Sequence, residues 1–195
     1  MTNTKKYSMM LAHDNLRVLH VTTHIPMKDV SAHLNVDRIY DVINLANKTC
    51  KQLGIKEPKI GVAGLNPHSS DEGRFGDEEE KIIIPSIEKA KSYGILADGP
   101  VPSDTLFCKA KGGLYDATVV MYHDQGHIPA KFAGFVYDAD SNQWVIRGVN
   151  VTLGLPIIRA SVDHGTAFGK AGKGTADYKS LEDALDYATL MAKNR

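Results

Sequence analysis

This sequence predicts a mixed α/β fold, an open sheet with flanking helices, on three observations. Short runs of β-prone apolar residues alternate with segments of helical periodicity. Several of those runs pass directly into polar, histidine-bearing clusters, as strands do where an open α/β sheet builds a site at its carboxyl edge. No internal repeat, low-complexity tract or linker interrupts residues 1–195, which read as a single domain. The clearest case is Val119-Val120-Met121, followed at once by Tyr122, His123, Asp124, Gln125, Gly126 and His127, with Lys131 eight positions beyond His123.

The elements follow in order. Tyr7 to Ala12 and Leu16 to Thr22 read as two strands joined by a turn at His13-Asp14-Asn15, where Asp and Asn supply local hydrogen bonds. A strand so near the start suggests a sheet entered midway. The second strand runs into Thr22-Thr23-His24-Ile25-Pro26, where Pro26 cannot continue a central ladder but can open a helix. Met27 to Leu34 reads as a short helix. From Asp37, the residues Ile39, Val42, Ile43, Ala46, Cys50 and Leu53 mark one helical face, which Gly54 stops. Lys59 to Leu65 is a strand with small residues, and a polar loop from Asn66 to Gly76 carries His68. Asp77 to Ser92 reads as a helix with a kink or break at Pro85. The stretch from Gly99 to Phe107 is too proline-rich for a central strand, so an extended loop and then a short helix capped by Ser103 or Asp104 are expected. After Lys131, Phe135 to Val145 reads as a surface hairpin turning at Asp138 to Asn142. Val149 to Leu153 and Pro156 to Val162 are further strands. A glycine-rich loop through Gly169, Gly172 and Gly174 precedes a last helix, Leu181 to Lys193, with an apolar stripe of Leu181, Ala184, Leu185, Ala188 and Met191.

Bulk properties exclude several classes. Lys plus Arg and Asp plus Glu both number 23, for a formal net charge of zero, with no basic patch or acidic tail to suggest a nucleic-acid partner. The two cysteines, Cys50 and Cys108, lie far apart without a Cys-x-x-Cys spacing, which points to free thiols and a reducing compartment. Met1 to Lys6 is polar and unlike a signal peptide, and no apolar run approaches the roughly 20 residues of a membrane span. A cytoplasmic protein without a membrane partner is expected.

His24, His68 and His123 each follow a predicted strand. Three neutral imidazoles sharing one rim would hold a divalent metal, zinc before magnesium or manganese because nitrogen donors suit the softer ion. A lone histidine is more often a surface or satisfied core residue; only the repeated placement after strands lifts the joint reading. Asp124, Lys131, Asn150 and Arg159 form a second set. Lys and Arg would clamp an anionic substrate, and a desolvated Lys could move a proton, whereas the plain alternative is solvated edge charge. The acid–imidazole pair of Asp163 and His164 reads equally well as loop-stabilising. No Gly-x-Gly-x-x-Gly fingerprint joins a strand to a helix.

Six motifs, in order, carry a family resemblance: Thr22-Thr23-His24-Ile25-Pro26, Gly64-Leu65-Asn66-Pro67-His68, Gly99-Pro100 with Ser103 to Phe107, Met121 to Gly126, Val149 to Pro156, and Ser161 to Ala167. Together they resemble the 4-hydroxythreonine-4-phosphate dehydrogenase family, PdxA, over essentially the whole chain. The resemblance implies a sheet like that of isocitrate and isopropylmalate dehydrogenases, which bind NAD without the usual glycine fingerprint, with the N-terminal part of the family fold missing. It assigns His24, His68 and His123 to the metal, shared between two subunits of a homodimer. It assigns Lys131, Asn150 and Arg159 to the substrate and places the cofactor near Gly99, Pro100 and Asp104, while Lys131 and Asp124 are the candidates for catalysis. The implied chemistry is NAD-dependent oxidation and decarboxylation of a phosphorylated hydroxy acid, in pyridoxal phosphate biosynthesis. The sequence Gly126-His127-Ile128-Pro129 leans instead toward relatives acting on 4-phosphothreonate or 4-phosphoerythronate in sugar-acid catabolism. A substrate-contacting His-Thr pair of the family falls before Met1, so a catalytically impaired metal-binding dimer, or half of a split enzyme, is the other expectation. A zinc hydrolase or aldolase is disfavoured because no acid/base partner is fixed.

Overall fold

The computed structural model describes residues 2–140 and 143–195. Its nine strands are β1 (Ser8–His13), β2 (Leu16–His20), β3 (Lys59–Ala63), β4 (Leu96–Val101), β5 (Ala117–Val120), β6 (Phe135–Asp138), β7 (Gln143–Ile146), β8 (Val149–Leu153) and β9 (Arg159–Val162). The helices are α1 (Val30–His33), α2 (Val36–Gln52), α3 (Ile84–Ser92), α4 (Ser103–Lys111), α5 (His123–Gly134) and α6 (Lys179–Lys193).

Seven strands form one sheet in the order β4-β3-β5-β2-β1-β8-β9, while β6 and β7 make a separate hairpin. Strands β2, β5, β3 and β4 run parallel, and β1, β8 and β9 continue the sheet antiparallel. The carboxyl ends of β2, β3, β4, β5 and β8 therefore share one rim with the starts of β1 and β9. Register fixes this, since Ser8 lies opposite Leu153 and Thr152 opposite Arg159.

Both faces of the central strands are buried, which is why they read as near-continuous apolar runs. Met10, Leu19 and Val151 point into a core closed by α2, α3 and α6, while Leu11, Val18 and Val120 point into a second core closed by α4 and α5. Ile39, Val42, Ile43, Ala46 and Cys50 of α2 are fully buried, as their spacing predicts. Each large aliphatic among them is worth roughly 1.5–3 kcal/mol of burial. Asn35 caps α2 by accepting from the Arg38 N–H at 2.8 Å.

Several expectations need correcting. Leu96 to Val101 is a strand despite Pro100, because β4 lies at the sheet edge, where a missing N–H leaves no ladder partner wanting. Helix α4 starts after Pro102 and has no side-chain cap, and the Ser103 hydroxyl is used elsewhere. The 77–92 segment is interrupted as its proline requires, with a π turn over Glu79–Ile83 and Pro85 in the first turn of α3. In α6 the inward face is Ala184 and Met191 with Tyr187, whereas Leu181 and Leu185 point outward, so the expected stripe is rotated. The hairpin expected over 135–145 is present as β6 and β7, paired from Phe135 opposite Ile146 to Asp138 opposite Gln143. Ser141 and Asn142 of its expected turn lie outside the described residues.

Candidate functional site

The exits of β2 and β5 stay tied beyond the formal strands. Val21 N–H donates to the Val120 carbonyl at 2.8 Å, and Thr22 gives both its N–H and its hydroxyl to the Met121 carbonyl at 3.2 and 2.7 Å. This pairing sets His24 beside His123, with ring centroids 5.4 Å apart and planes tilted by 56°. His123 is the first residue of α5 rather than the end of a strand. Its Nδ1 lies 2.6 Å from Asp124 Oδ1. His24, His123, Asp124 and Tyr122 line a cleft of about 330 Å³.

Behind this pair the imidazoles continue inward. His123 stacks on His127, with centroids 3.6 Å apart and planes within 10°. His127 Nδ1 lies 3.1 Å from both His20 Nε2 and the His123 carbonyl, and His20 Nδ1 faces the Met9 carbonyl at 3.4 Å. One proton arrangement satisfies every contact: His20 Nδ1–H donates to Met9, and His127 Nδ1–H donates to His20 Nε2 and the His123 carbonyl. Both rings are then neutral. Burial, with repulsion from the neighbouring imidazole, pushes His20 down to about 3 and His127 down to about 4. The helix can approach this closely because residue 126 has no side chain, since a Cβ there would meet His20 Nε2 at 2.5 Å.

His24 also borders a larger cavity of about 630 Å³ between β1, β2, β8 and the start of α2, shared with His20, Arg38, Asn150 and Arg159. Period-2 alternation explains the delivery: Val149, Val151 and Leu153 are buried in the first core, so Asn150 and Thr152 face the other way. Arg159 Nη1 donates to Thr152 Oγ1 at 2.7 Å. Asn150 Nδ2 contacts Met9 Sδ at 3.4 Å, while its buried Oδ1 has no hydrogen-bond partner among the described residues. A buried acceptor left open on a cavity wall suits a ligand donor.

Two buried polar residues hold the rim together. Gln125 Oε1 accepts from Met121 N–H at 2.6 Å, and its Nε2 donates to the Gly64 carbonyl at 2.6 Å and Ser103 Oγ at 2.7 Å. It thus joins the exits of β5 and β3 to the start of α4. Glu79 accepts from the N–H groups of Leu65 and Asn66 at 2.8 and 2.7 Å and from Asn66 Nδ2 at 2.9 Å. That fixes the base of the loop carrying His68.

His68 itself is exposed, in a left-handed turn at φ 52, and does not line the His24–His123 cleft. Among the described residues no group of three His, Cys, Asp or Glu side chains could hold a metal. One chain therefore offers two suitable imidazoles and leaves the expected third ligand apart. Lys131 lies in the last turn of α5, exposed, with Nζ 5.0 Å from the Phe135 ring centroid, and borders neither space. Gly99 and Pro100 close β4, and Asp104 sits exposed in the first turn of α4. A Cβ on Gly99 would collide with the Val62 carbonyl, so this glycine permits β4 to close on β3. His20, Arg38 and Gln125 were not among the sequence candidates. His20 alternates with Val18 toward α5, a pattern that could have marked it; Arg38 carries no such signal.

The Pyridoxal phosphate biosynthetic protein PdxA family model matches residues 1–188. A relative in Desulforapulum autotrophicum named 4-hydroxythreonine-4-phosphate dehydrogenase is 52% identical over 192 residues, covering 98% of this chain and 54% of that protein. One in Pectobacterium atrosepticum named D-threonate 4-phosphate dehydrogenase is 47% identical over 192 residues, covering 98% and 56%. A crystal structure of 4-hydroxythreonine-4-phosphate dehydrogenase from Klebsiella pneumoniae superposes with a TM-score of 0.82 at 41% identity, covering 98% of this chain and 55% of that one. The chain spans about half the length of the relatives it matches.

Proposed function

This chain belongs to the PdxA family, and from that membership we propose that its site serves NAD-dependent, divalent-metal-dependent oxidation, with decarboxylation, of a phosphorylated hydroxy acid. The observation that carries the reading is the shared cavity: His24, Asn150 and Arg159, proposed for metal and substrate, meet in one space of a volume suited to a small metabolite.

In this reading Arg159 holds an oxyanion of the substrate, and Asn150 Oδ1 accepts from a substrate hydroxyl. NAD, where bound, would supply the hydride acceptor for the alcohol carbon; the alcohol oxygen would give up a proton, and the resulting 3-keto acid would lose carbon dioxide and take up a proton. Asp124, already hydrogen-bonded to His123 and lining the His24–His123 cleft, is the proton-transfer group at hand, while Lys131, which borders neither space in one chain, takes that role only on the family resemblance. A divalent ion on His24 and His123, with His68 from a second copy in a homodimer, would supply Lewis-acid polarisation at the alcohol oxygen. NAD would lie along the β4–α4 edge at Gly99, Pro100 and Asp104.

Between substrates, 4-hydroxythreonine 4-phosphate places the reaction in pyridoxal phosphate biosynthesis. 4-Phosphothreonate or 4-phosphoerythronate would place it in sugar-acid catabolism, a reading favoured by the name of the Pectobacterium relative and by a cavity wall that offers no carboxylate to a substrate ammonium. The test is NADH formation by the purified chain with zinc, manganese or magnesium and each of the three acids. Metal-dependent turnover of one acid would name the substrate. Silence with intact metal binding would refute turnover by this chain alone and favour an impaired dimer or a split enzyme.

A further inference from the structure

The larger cavity has a second cationic wall. Arg38 borders it from α2 and Arg159 from β9, with Lys5 also in the lining and no Asp or Glu among the lining residues. The Arg38 guanidinium is half-buried and held rigidly: Nε–H donates to the Val21 carbonyl at 3.0 Å and Nη1–H to the Tyr7 carbonyl at 2.7 Å. Its carbon sits 6.0 Å from the Tyr7 ring centroid. A guanidinium carries five N–H donors, so three remain without an acceptor among the described residues. Among the described residues no carboxylate is ion-paired with it; the acids nearest in sequence, Asp37 and Asp41, are taken by Lys89 at 2.6 Å and Lys6 at 2.9 Å. A desolvated, preorganised and unpaired fork on a cavity wall is what planar, multidentate oxyanion recognition requires.

We propose that Arg38 is a second anion-binding residue of this cavity, taking an oxyanion of the ligand from the α2 side while Arg159 serves it from β9. Two arginines from different elements lining one cavity fit a ligand with two anionic ends, as a hydroxy acid phosphate has. The choice of ligand rests on the function proposed above, whereas the oxyanion assignment rests on geometry alone. Arg38 is a substrate-binding residue in this scheme, and the oxyanion it takes is either the phosphate or the carboxylate.

Calorimetric binding to the full chain separates these. The probes are inorganic phosphate, threonate and 4-phosphothreonate, applied to the unaltered chain, Arg38→Met and Arg38→Lys. Arg38→Met should weaken 4-phosphothreonate about tenfold or more, with Arg38→Lys in between, because a charge-assisted hydrogen bond is lost and a point charge restores only part of it. An equal loss for inorganic phosphate with threonate unchanged assigns the phosphate; the reverse assigns the carboxylate. Because Arg38 also ties α2 to β1 and β2, a second measurement uses the unaltered chain. Phenylglyoxal modification of Arg38, read by peptide mass spectrometry, should be suppressed by the ligand that binds, while Arg17 is unaffected. Undiminished affinities in a folded Arg38→Met, unprotected Arg38, or no binding of any probe to the unaltered chain would overturn the assignment. Loss of phosphate binding in a chain that forms no NADH would leave Arg38 standing and refute only the proposed reaction.

Discussion

Replacing Gly126 by alanine sets two effects of known sign against each other. Alanine is the better helix former, and in the interior of α5 it should gain up to about 1 kcal/mol. The added Cβ, however, would meet His20 Nε2 at 2.5 Å, Val18 Cγ1 at 2.7 Å and Val120 Cγ2 at 2.8 Å. All three neighbours are fully buried. Two are β-branched residues in central strands and cannot swing aside, and the third is pinned between the Met9 carbonyl and His127. Overpacking of this kind costs roughly 1–3 kcal/mol, and pushing His20 away forfeits a hydrogen bond worth about 1 kcal/mol. The clash wins, and the net expectation is a loss of about 1–3 kcal/mol. For a chain of this size that lowers the thermal midpoint by roughly 3–10 °C. Urea unfolding of the two proteins measures it directly, with Gly169→Ala as control, since a Cβ at Gly169 meets nothing within 4 Å. A Gly126→Ala variant as stable as the parent would refute the close approach of α5 to β2 and with it the His20–His127 contact.

Gln125→Leu should cost about 3 kcal/mol in the same assay, because it leaves the Met121 N–H and the Gly64 carbonyl buried and unpaired; a neutral effect would show that the rim is not tied there. The pH dependence of stability follows from His20. An unfolded imidazole takes its proton near 6.5, whereas burial holds the folded ring down to about 3. Below pH 6.5 the unfolded chain therefore binds a proton that the folded chain refuses, so stability falls as pH drops from 6.5 toward 3 and is flat with respect to this group above 6.5. Unfolding free energies at pH 7 and pH 5 should differ by less in His20→Leu than in the parent; equal differences would show that His20 is not held neutral. Of the two thiols, Cys108 is exposed, while burial pushes Cys50 up to about 12. Ellman's reagent at pH 8 should titrate one thiol in the folded chain and two in denaturant.

The sequence was most legible where one physical pattern acts alone. Strands β2, β5 and β8 and helix α2 follow from apolar periodicity, and the hairpin of β6 and β7 from its turn residues. It was least legible where tertiary packing overrides local preference. Helix α5 contains Gly126, Pro129 and two histidines, a poor helical segment by propensity, and forms because Gly126 admits close packing and Ala130 is buried against β1 and β2. In α6 the large Leu181 and Leu185 mark a stripe by size, yet the small Ala184 faces the core, since that helix approaches the sheet closely. For the site, placing histidines after strands anticipated the neighbourhood of His24 and His123. It could not anticipate His20, whose burial depends on β1 and α5, nor Arg38, a polar residue on a helix read only for its apolar face.

The cationic cavity also poses a question of charge, because the chain has as many acids as bases. Its positive wall arises because the nearby carboxylates are already committed: Asp41 to Lys6, Asp37 to Lys89, and Glu79 to backbone N–H groups. Lys6 does not line the cavity, but it occupies the carboxylate that lies one helical turn from Arg38. Lys6→Ala should release Asp41 to compete for the free N–H groups of Arg38, weakening inorganic phosphate binding severalfold without removing any group that touches the ligand. Adding Asp41→Asn should restore it, since an amide is no rival to an anion. Exposure of Lys6 limits what the ion pair contributes to stability, so the effect should appear in binding rather than in the unfolding midpoint. Unchanged phosphate affinity in Lys6→Ala, or no recovery in the double variant, would show that the cavity's field does not depend on sequestered acid.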